Sequence, residues 1–166
     1  MSFKRYRRGE LIFKVGERVD TIALLVEGAV YSDFYDEDGN QRITSFHCPL
    51  DSGEIVFNYE DYLQERPSQK SYKAFGDSLL LLLDISAVKV LYDRFPRFYQ
   101  LELMIMQPNL IHALKNISIL QARTAAEKIA LLKEHSPKTF QVFPYSYIAS
   151  FLGIHRNTLN AVLTTL

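Results

Sequence analysis

The chain has one cysteine, Cys48, among its 166 residues. That excludes an internal disulfide and a cysteine cage for zinc or an iron–sulfur cluster. Flanked by His47 and Pro49, the thiol reads as a small buried apolar residue. No apolar run approaches the roughly 20 residues that span a bilayer, and the basic stretch from Met1 to Arg8 has no apolar segment behind it. Neither membrane anchoring nor secretion is expected, which points to the cytoplasm. Internal repeats and low-complexity segments are missing as well. The four histidines, His47, His112, His135 and His155, are far apart and fall on different expected elements, with no pair one helical turn apart. Neither a metal site, a cofactor nor a catalytic centre is expected, so the chain does not read as an enzyme.

Charge of one sign is also lacking, since 19 Lys and Arg balance 19 Asp and Glu. The balance hides an uneven distribution. Between residues 31 and 66, Asp33, Asp36, Glu37, Asp38, Asp51, Glu54, Glu60, Asp61 and Glu65 face only Arg42 and Arg66. From Gln121 onward, Arg123, Lys128, Lys133, Lys138 and Arg156 outnumber Glu127 and Glu134, a net charge of +3. What the chain does have is core material: 48% of its residues are hydrophobic and 13% aromatic, which excludes general disorder.

From Arg8 to Asp84 short apolar runs alternate with turn residues, as in an antiparallel β domain. The runs are Leu11–Phe13, Thr21–Val26, Ala29–Tyr35, Gln41–Phe46, Ser71–Phe75 and Leu79–Leu83. Asp38-Gly39-Asn40 is expected at a hairpin tip, and Gly16 and Gly28 punctuate earlier strands. Their regular spacing suggests a barrel or roll. Alternation lapses between Asp51 and Gln69, where Gly53 to Leu63 is expected to hold a short helix.

Beyond Asp84 the period becomes helical. Ser86 to Phe95 is expected as a short helix, and from Pro96 an amphipathic pattern runs through Phe98, Leu101, Ile105, Leu110, Leu114 and Ile117, with Pro108 as a kink. A helix of about 24 residues is about 36 Å long, more than a small domain needs. Its apolar face is expected to pair with a second copy of itself, giving a homodimer. Thr124-Ala125-Ala126-Glu127 matches a capping box and opens another helix. Ser136-Pro137-Lys138 closes it.

The stretch from Tyr145 to Val162 has the spacing of a helix-turn-helix. Ile148, Leu152, Ile154, Leu159 and Val162 are placed to bury against each other; small Ala149 allows close approach, and Gly153 supplies the turn. His155, Arg156, Asn157, Thr158 and Asn160 then lie at the start of the second helix and off its buried face. Side chains there reach base edges in double-stranded DNA, Arg suiting guanine and Asn suiting adenine.

A β-roll, a long helix and a C-terminal helix-turn-helix, in that order, resemble the Crp/Fnr family of bacterial transcription regulators. Arg8-Gly9-Glu10-Leu11-Ile12-Phe13 and Val15-Gly16-Glu17 look like that family's first strands. Leu25-Val26-Glu27-Gly28-Ala29-Val30 is similar to its glycine turn, Asp36-Glu37-Asp38-Gly39 to its hairpin, and Ile148 to Ile154 with Arg156 and Thr158-Leu159 to its DNA-reading element. The resemblance implies an α+β fold: a cyclic-nucleotide-binding-like double-stranded β-helix over 1–95, a dimerisation helix over 96–121 and a DNA-binding helix-turn-helix over 122–166.

Two departures accompany the match. In nucleotide-binding members a Gly-Glu pair and a later Arg with a small hydroxyl residue cradle the ribose and cyclic phosphate. Gly53-Glu54 matches the pair, but Pro67 to Ala74 aligns so that Ser68 stands where the Arg would be. An anionic cyclic phosphate is poorly held without a bidentate Arg beside an acidic segment. Cyclic AMP is therefore not the expected ligand; a small neutral or cationic effector, or none, is, with Gly53, Glu54, Ser68, Lys70 and Tyr72 as candidate pocket residues. On the recognition helix the family's Arg-Glu-Thr-Leu-Ser-Arg becomes Arg156-Asn157-Thr158-Leu159-Asn160-Ala161, so a different DNA sequence is expected. The family's β-hairpin wing is also missing after Thr164-Thr165-Leu166, which implies modest affinity or a shortened chain. A ligand-binding or interaction module that has lost sequence-specific DNA binding is the alternative.

Overall fold

The computed structural model describes residues 1–49 and 54–165. Eight strands come first: β1 (Ser2–Tyr6), β2 (Leu11–Phe13), β3 (Thr21–Glu27), β4 (Val30–Tyr35), β5 (Gln41–His47), β6 (Ile55–Val56), β7 (Ser71–Ala74) and β8 (Ser78–Asp84), with helix α1 (Tyr59–Leu63) between β6 and β7. They form two four-stranded sheets, ordered β1-β8-β3-β6 and β2-β7-β4-β5, with every described pairing antiparallel. The face-to-face interior holds Ala23, Leu25, Val30, Val56, Tyr72, Ala74 and Leu80. This is the expected roll.

The turns follow from local chemistry. At the β4–β5 tip, Asp36 Oδ1 accepts from the backbone N–H groups of Asp38 (3.2 Å) and Asn40 (2.8 Å), while Gly39 adopts φ +78°. Gly28 is obligatory: at φ +94° a Cβ there would lie 2.4 Å from Ser78 Oγ and 2.5 Å from the Asp77 carbonyl oxygen. Strand β1 has no sequence signature because four of its five residues are exposed. An edge strand with Lys4 and Arg5 outward shows no apolar alternation.

Six helices follow: α2 (Ile85–Arg94), α3 (Phe98–Gln121), α4 (Ala125–His135), α5 (Pro137–Val142), α6 (Tyr145–Leu152) and α7 (Arg156–Thr165). Asp84 caps α2 by accepting from Ser86 N–H at 2.7 Å. Pro108 lies inside the 24-residue α3. Thr124 and Glu127 form the capping box of α4. Helix α5 starts directly on Pro137, so Pro137 both ends one helix and opens the next.

The helical half and the roll share a buried cluster. Ala29, Tyr31, Ile43 and Phe46 of the roll pack with Ile119 of α3, Ile129 and Leu132 of α4, Ile148 and Leu152 of α6 and Leu159 of α7. Aromatic rings bridge the two: Tyr31 meets Tyr147 edge-on at 5.0 Å, and Phe46 lies 4.5 Å from Phe143 and 5.4 Å from Phe151. Among the described residues, no helix is long and apolar enough to cross a membrane.

Candidate nucleic-acid interface

Helix α6 ends on Gly153 at φ +65°, ψ 33°, the left-handed conformation that glycine adopts without steric penalty. Ile154 N–H reaches back to the Ala149 carbonyl at 3.0 Å, closing the turn. Lys128 of α4 donates to the Leu152 carbonyl at 3.2 Å, placing a cation at the negative end of α6. Ile148, Leu152 and Leu159 are fully buried and Ala149 nearly so. The apolar face read from the sequence is the face that packs.

His155 stands immediately before α7, and its Nδ1 accepts from Asn157 N–H at 3.2 Å. The imidazole thereby satisfies one of the amides that a helix start leaves open. His155, Arg156, Asn157, Thr158 and Asn160 are all exposed at the start and on the first turns of α7. Among the described residues Arg156 has no carboxylate partner. Such a surface offers one guanidinium, two carboxamides, an imidazole and a hydroxyl, the donor and acceptor types that read base edges and phosphates.

The opposite side of α6 is anchored on strand β5. Ser150 Oγ donates to the Gln41 carbonyl at 3.1 Å and accepts from Ile43 N–H at 3.1 Å. Next to it the buried Asp33 pairs with Lys73 Nζ at 2.7 Å and accepts from the Gln41 carboxamide. Burial, then a hydrogen bond with Tyr147, raises the pKa of the Tyr31 hydroxyl. Sequence spacing does not single out these seam residues. The available signal is Ser150, a hydroxyl in the middle of the apolar run Ile148-Ala149-Ser150-Phe151-Leu152.

In the roll, Gly53 lies outside the described residues. Glu54 is exposed, while Ser68 and Tyr72 are buried. Lys70 sits 3.9 Å from the Glu60 carboxylate. Tyr72 packs edge-on against Phe13 at 5.8 Å and donates to the Phe57 carbonyl at 3.4 Å. Ser68 and Tyr72 do border a common cavity, with Phe13 and Asn58, but its volume is only about 20 Å³, room for one water. The acidic segment does not line it as expected from the charge count. Asp36 pairs with Arg42, Asp33 with Lys73, and Glu60 and Asp61 with Arg66, so these carboxylates are neutralised in separate places.

At the junction of roll and helices lies a polar group that sequence spacing concealed. His47 Nδ1 is buried without a hydrogen-bond partner, and burial first, then the charge of His112, drives its pKa down to about 3. His112 is lowered too, by burial, then by Lys115 and His135. His112 thus comes within electrostatic reach of both His47 and His135, which are distant from it in sequence. Among the described residues no group of three or more His, Cys, Asp or Glu is arranged to hold a metal ion.

Residues 3–95 match the family described as "Cyclic nucleotide-binding domain". The anaerobic regulatory protein of Haemophilus influenzae is 22% identical over 171 residues, covering 96% of this chain and 65% of the relative. The chain therefore spans just under two thirds of that relative's length. The structure of FixK2 from Bradyrhizobium japonicum superposes with a TM-score of 0.81 at 20% identity, covering 99% of this chain and 83% of that one. A CRP-family transcriptional regulator from Thermus thermophilus gives 0.72 at 20% identity, covering 98% and 83%. The names of the Haemophilus and Thermus proteins describe regulators, not enzymes. With the roll, long helix and helix-turn-helix in the same order, the chain belongs to the cyclic nucleotide-binding domain family and is built on the plan of the Crp/Fnr regulators.

Proposed function

We propose that the protein is a cytoplasmic, DNA-binding transcription regulator that acts as a homodimer. The observation that carries this reading is the exposed set Arg156, Asn157, Thr158 and Asn160 on α7, with α6 fixed behind it by a fully packed face. In a two-fold dimer, two such helices would enter successive major grooves about 34 Å apart. Helix α3 supplies the dimer surface: Leu103, Leu110, Leu114 and Ile117 are each more than half exposed and recur at heptad-like intervals. A second copy of α3 would cover them.

The roll is proposed to respond to a small effector other than cyclic AMP. The cavity beside Ser68 and Tyr72, about 20 Å³, is too small for a nucleotide, which supports the exclusion of cyclic AMP and leaves the effector's seat to be found elsewhere on the roll. One observation favours an interaction module without sequence-specific DNA binding: Arg156 is the only Lys or Arg on α7. Selection of random duplex DNA by the purified protein, with Arg156→Ala as control, separates the two. A two-fold symmetric motif lost in the variant supports the regulator; no enrichment supports the interaction module.

A further inference from the structure

The loop joining α1 to β7 encloses a carboxylate that belongs to the chain itself. Asp61 is only 1% exposed. Its Oδ1 accepts from Arg66 Nε at 2.5 Å, and its Oδ2 accepts from the backbone N–H of Gln69 at 2.8 Å and from the Asn58 carboxamide. Asn58 is itself buried and also donates to Ser68 Oγ at 3.2 Å. The second nitrogen face of Arg66 is held by Glu60 at 2.9 Å, which fixes the guanidinium. Burial alone would raise the Asp61 pKa; hydrogen bonds from Gln69 and Arg66 outweigh it and hold the group below the usual carboxylate range.

A guanidinium, a loop N–H and a carboxamide converging on two oxygens form a donor set that recognises small oxyanions in general. Nothing in that set is particular to a side-chain carboxylate. Asp61 and Arg66 also line an open cavity of about 480 Å³, together with Arg18, Tyr62 and Lys89. The Arg66 side of the cradle thus borders open space, on a wall that carries Arg18 and Lys89 as well as Glu65. We propose that loop 58–69 is an oxyanion cradle whose resident anion is the Asp61 carboxylate. Phosphate and cyclic nucleotides are thereby excluded, and removal of this side chain opens a site for a small external oxyanion.

The proposal deepens the reading of the roll as a sensor that does not take cyclic AMP, and it rests on that reading only for its regulatory meaning. The test is chemical rescue. Melting temperatures of the full chain, wild type and Asp61→Ala, are compared in formate, in phosphate and in chloride at matched ionic strength. Asp61→Ala is expected to melt lower in chloride and to regain at least half the loss in formate or phosphate, rising with the logarithm of anion concentration. Wild type is expected to be indifferent to formate, phosphate and cyclic AMP, and Asp61→Ala with Arg66→Gln to lose the rescue.

Should Asp61→Ala not fold in chloride, its refolding yield in formate against chloride gives the same readout, with recovery in formate alone expected. Equal behaviour of the variant in all three salts would overturn the cradle and leave an ordinary structural ion pair. Stabilisation of wild type by phosphate or cyclic AMP would overturn the exclusion. DNA selection by wild type is independent of either result, so the regulator reading stands or falls separately.

Discussion

Ser150 of α6 and Gln41 of β5 are joined by a hydroxyl-to-carbonyl hydrogen bond of 3.1 Å, and the same hydroxyl accepts from Ile43 N–H two residues along the strand. One side chain thus takes the place of a neighbouring strand at the edge of the β2-β7-β4-β5 sheet. It ties the helix-turn-helix to the roll.

Replacing Ser150 with Ala leaves an edge carbonyl and an edge N–H unpaired in a part-buried seam. Each such loss costs about 1–3 kcal/mol before solvent relieves it. The expected result is a loss of about 1–3 kcal/mol in denaturant unfolding, with little change in the denaturant dependence. Unchanged stability would show that water replaces the hydroxyl and that the seam is weak.

His47 and His112 make the junction sensitive to mild acid. Their folded pKa values lie below the unfolded value of about 6.5, His47 at about 3 and His112 lowered. A group depressed in this way leaves the unfolded chain holding more protons, so stability is full above about pH 6.5 and is lost as pH falls below it. His47 alone is expected to remove about 2 kcal/mol between about pH 7 and pH 5. Unfolding curves across that range, with His47→Leu as control, check this: the variant should show a shallower slope.

His155 caps α7 through Nδ1, so its removal should act first on the stability of that helix. His155→Ala is expected to cost about 1 kcal/mol of stability, while His155→Asn, a good cap, keeps most of it. Thermal unfolding distinguishes the two. Equal loss in both would mean that the imidazole matters through packing and not as a cap.

Leu110 and Leu114 are 60% and 55% exposed on α3. Leu110→Glu with Leu114→Glu should therefore leave the folded chain intact and convert dimer to monomer in sedimentation. A wild-type protein that sediments as a monomer at micromolar concentration would remove the proposed role of α3.

The strands facing the interior, the capping box at Thr124 and the Gly153 turn are legible in the sequence because each is a local pattern of a few residues. Strand β1 is not, since its exposed edge carries no alternation, and α5 is hidden behind Pro137, whose pattern reads as a helix stop. The Ser150 seam is beyond reach of periodicity: its partners lie 107 and 109 residues away in the chain. In the sequence Asp61 is one more acid in an acidic stretch. Its meaning depends on the loop folding back so that residues 58, 66 and 69 converge on it. The polar set His155, Arg156, Asn157, Thr158 and Asn160 is legible from spacing, and these residues are exposed on the first turns of α7.

Binding of a selected duplex, measured against salt for wild type and Arg156→Ala, tests the central reading most directly. A DNA-reading dimer should bind with two chains per duplex, weaken linearly in log affinity as log salt rises, and lose about 1–3 kcal/mol in the variant. Affinity indifferent to salt and unchanged by Arg156→Ala would contradict it.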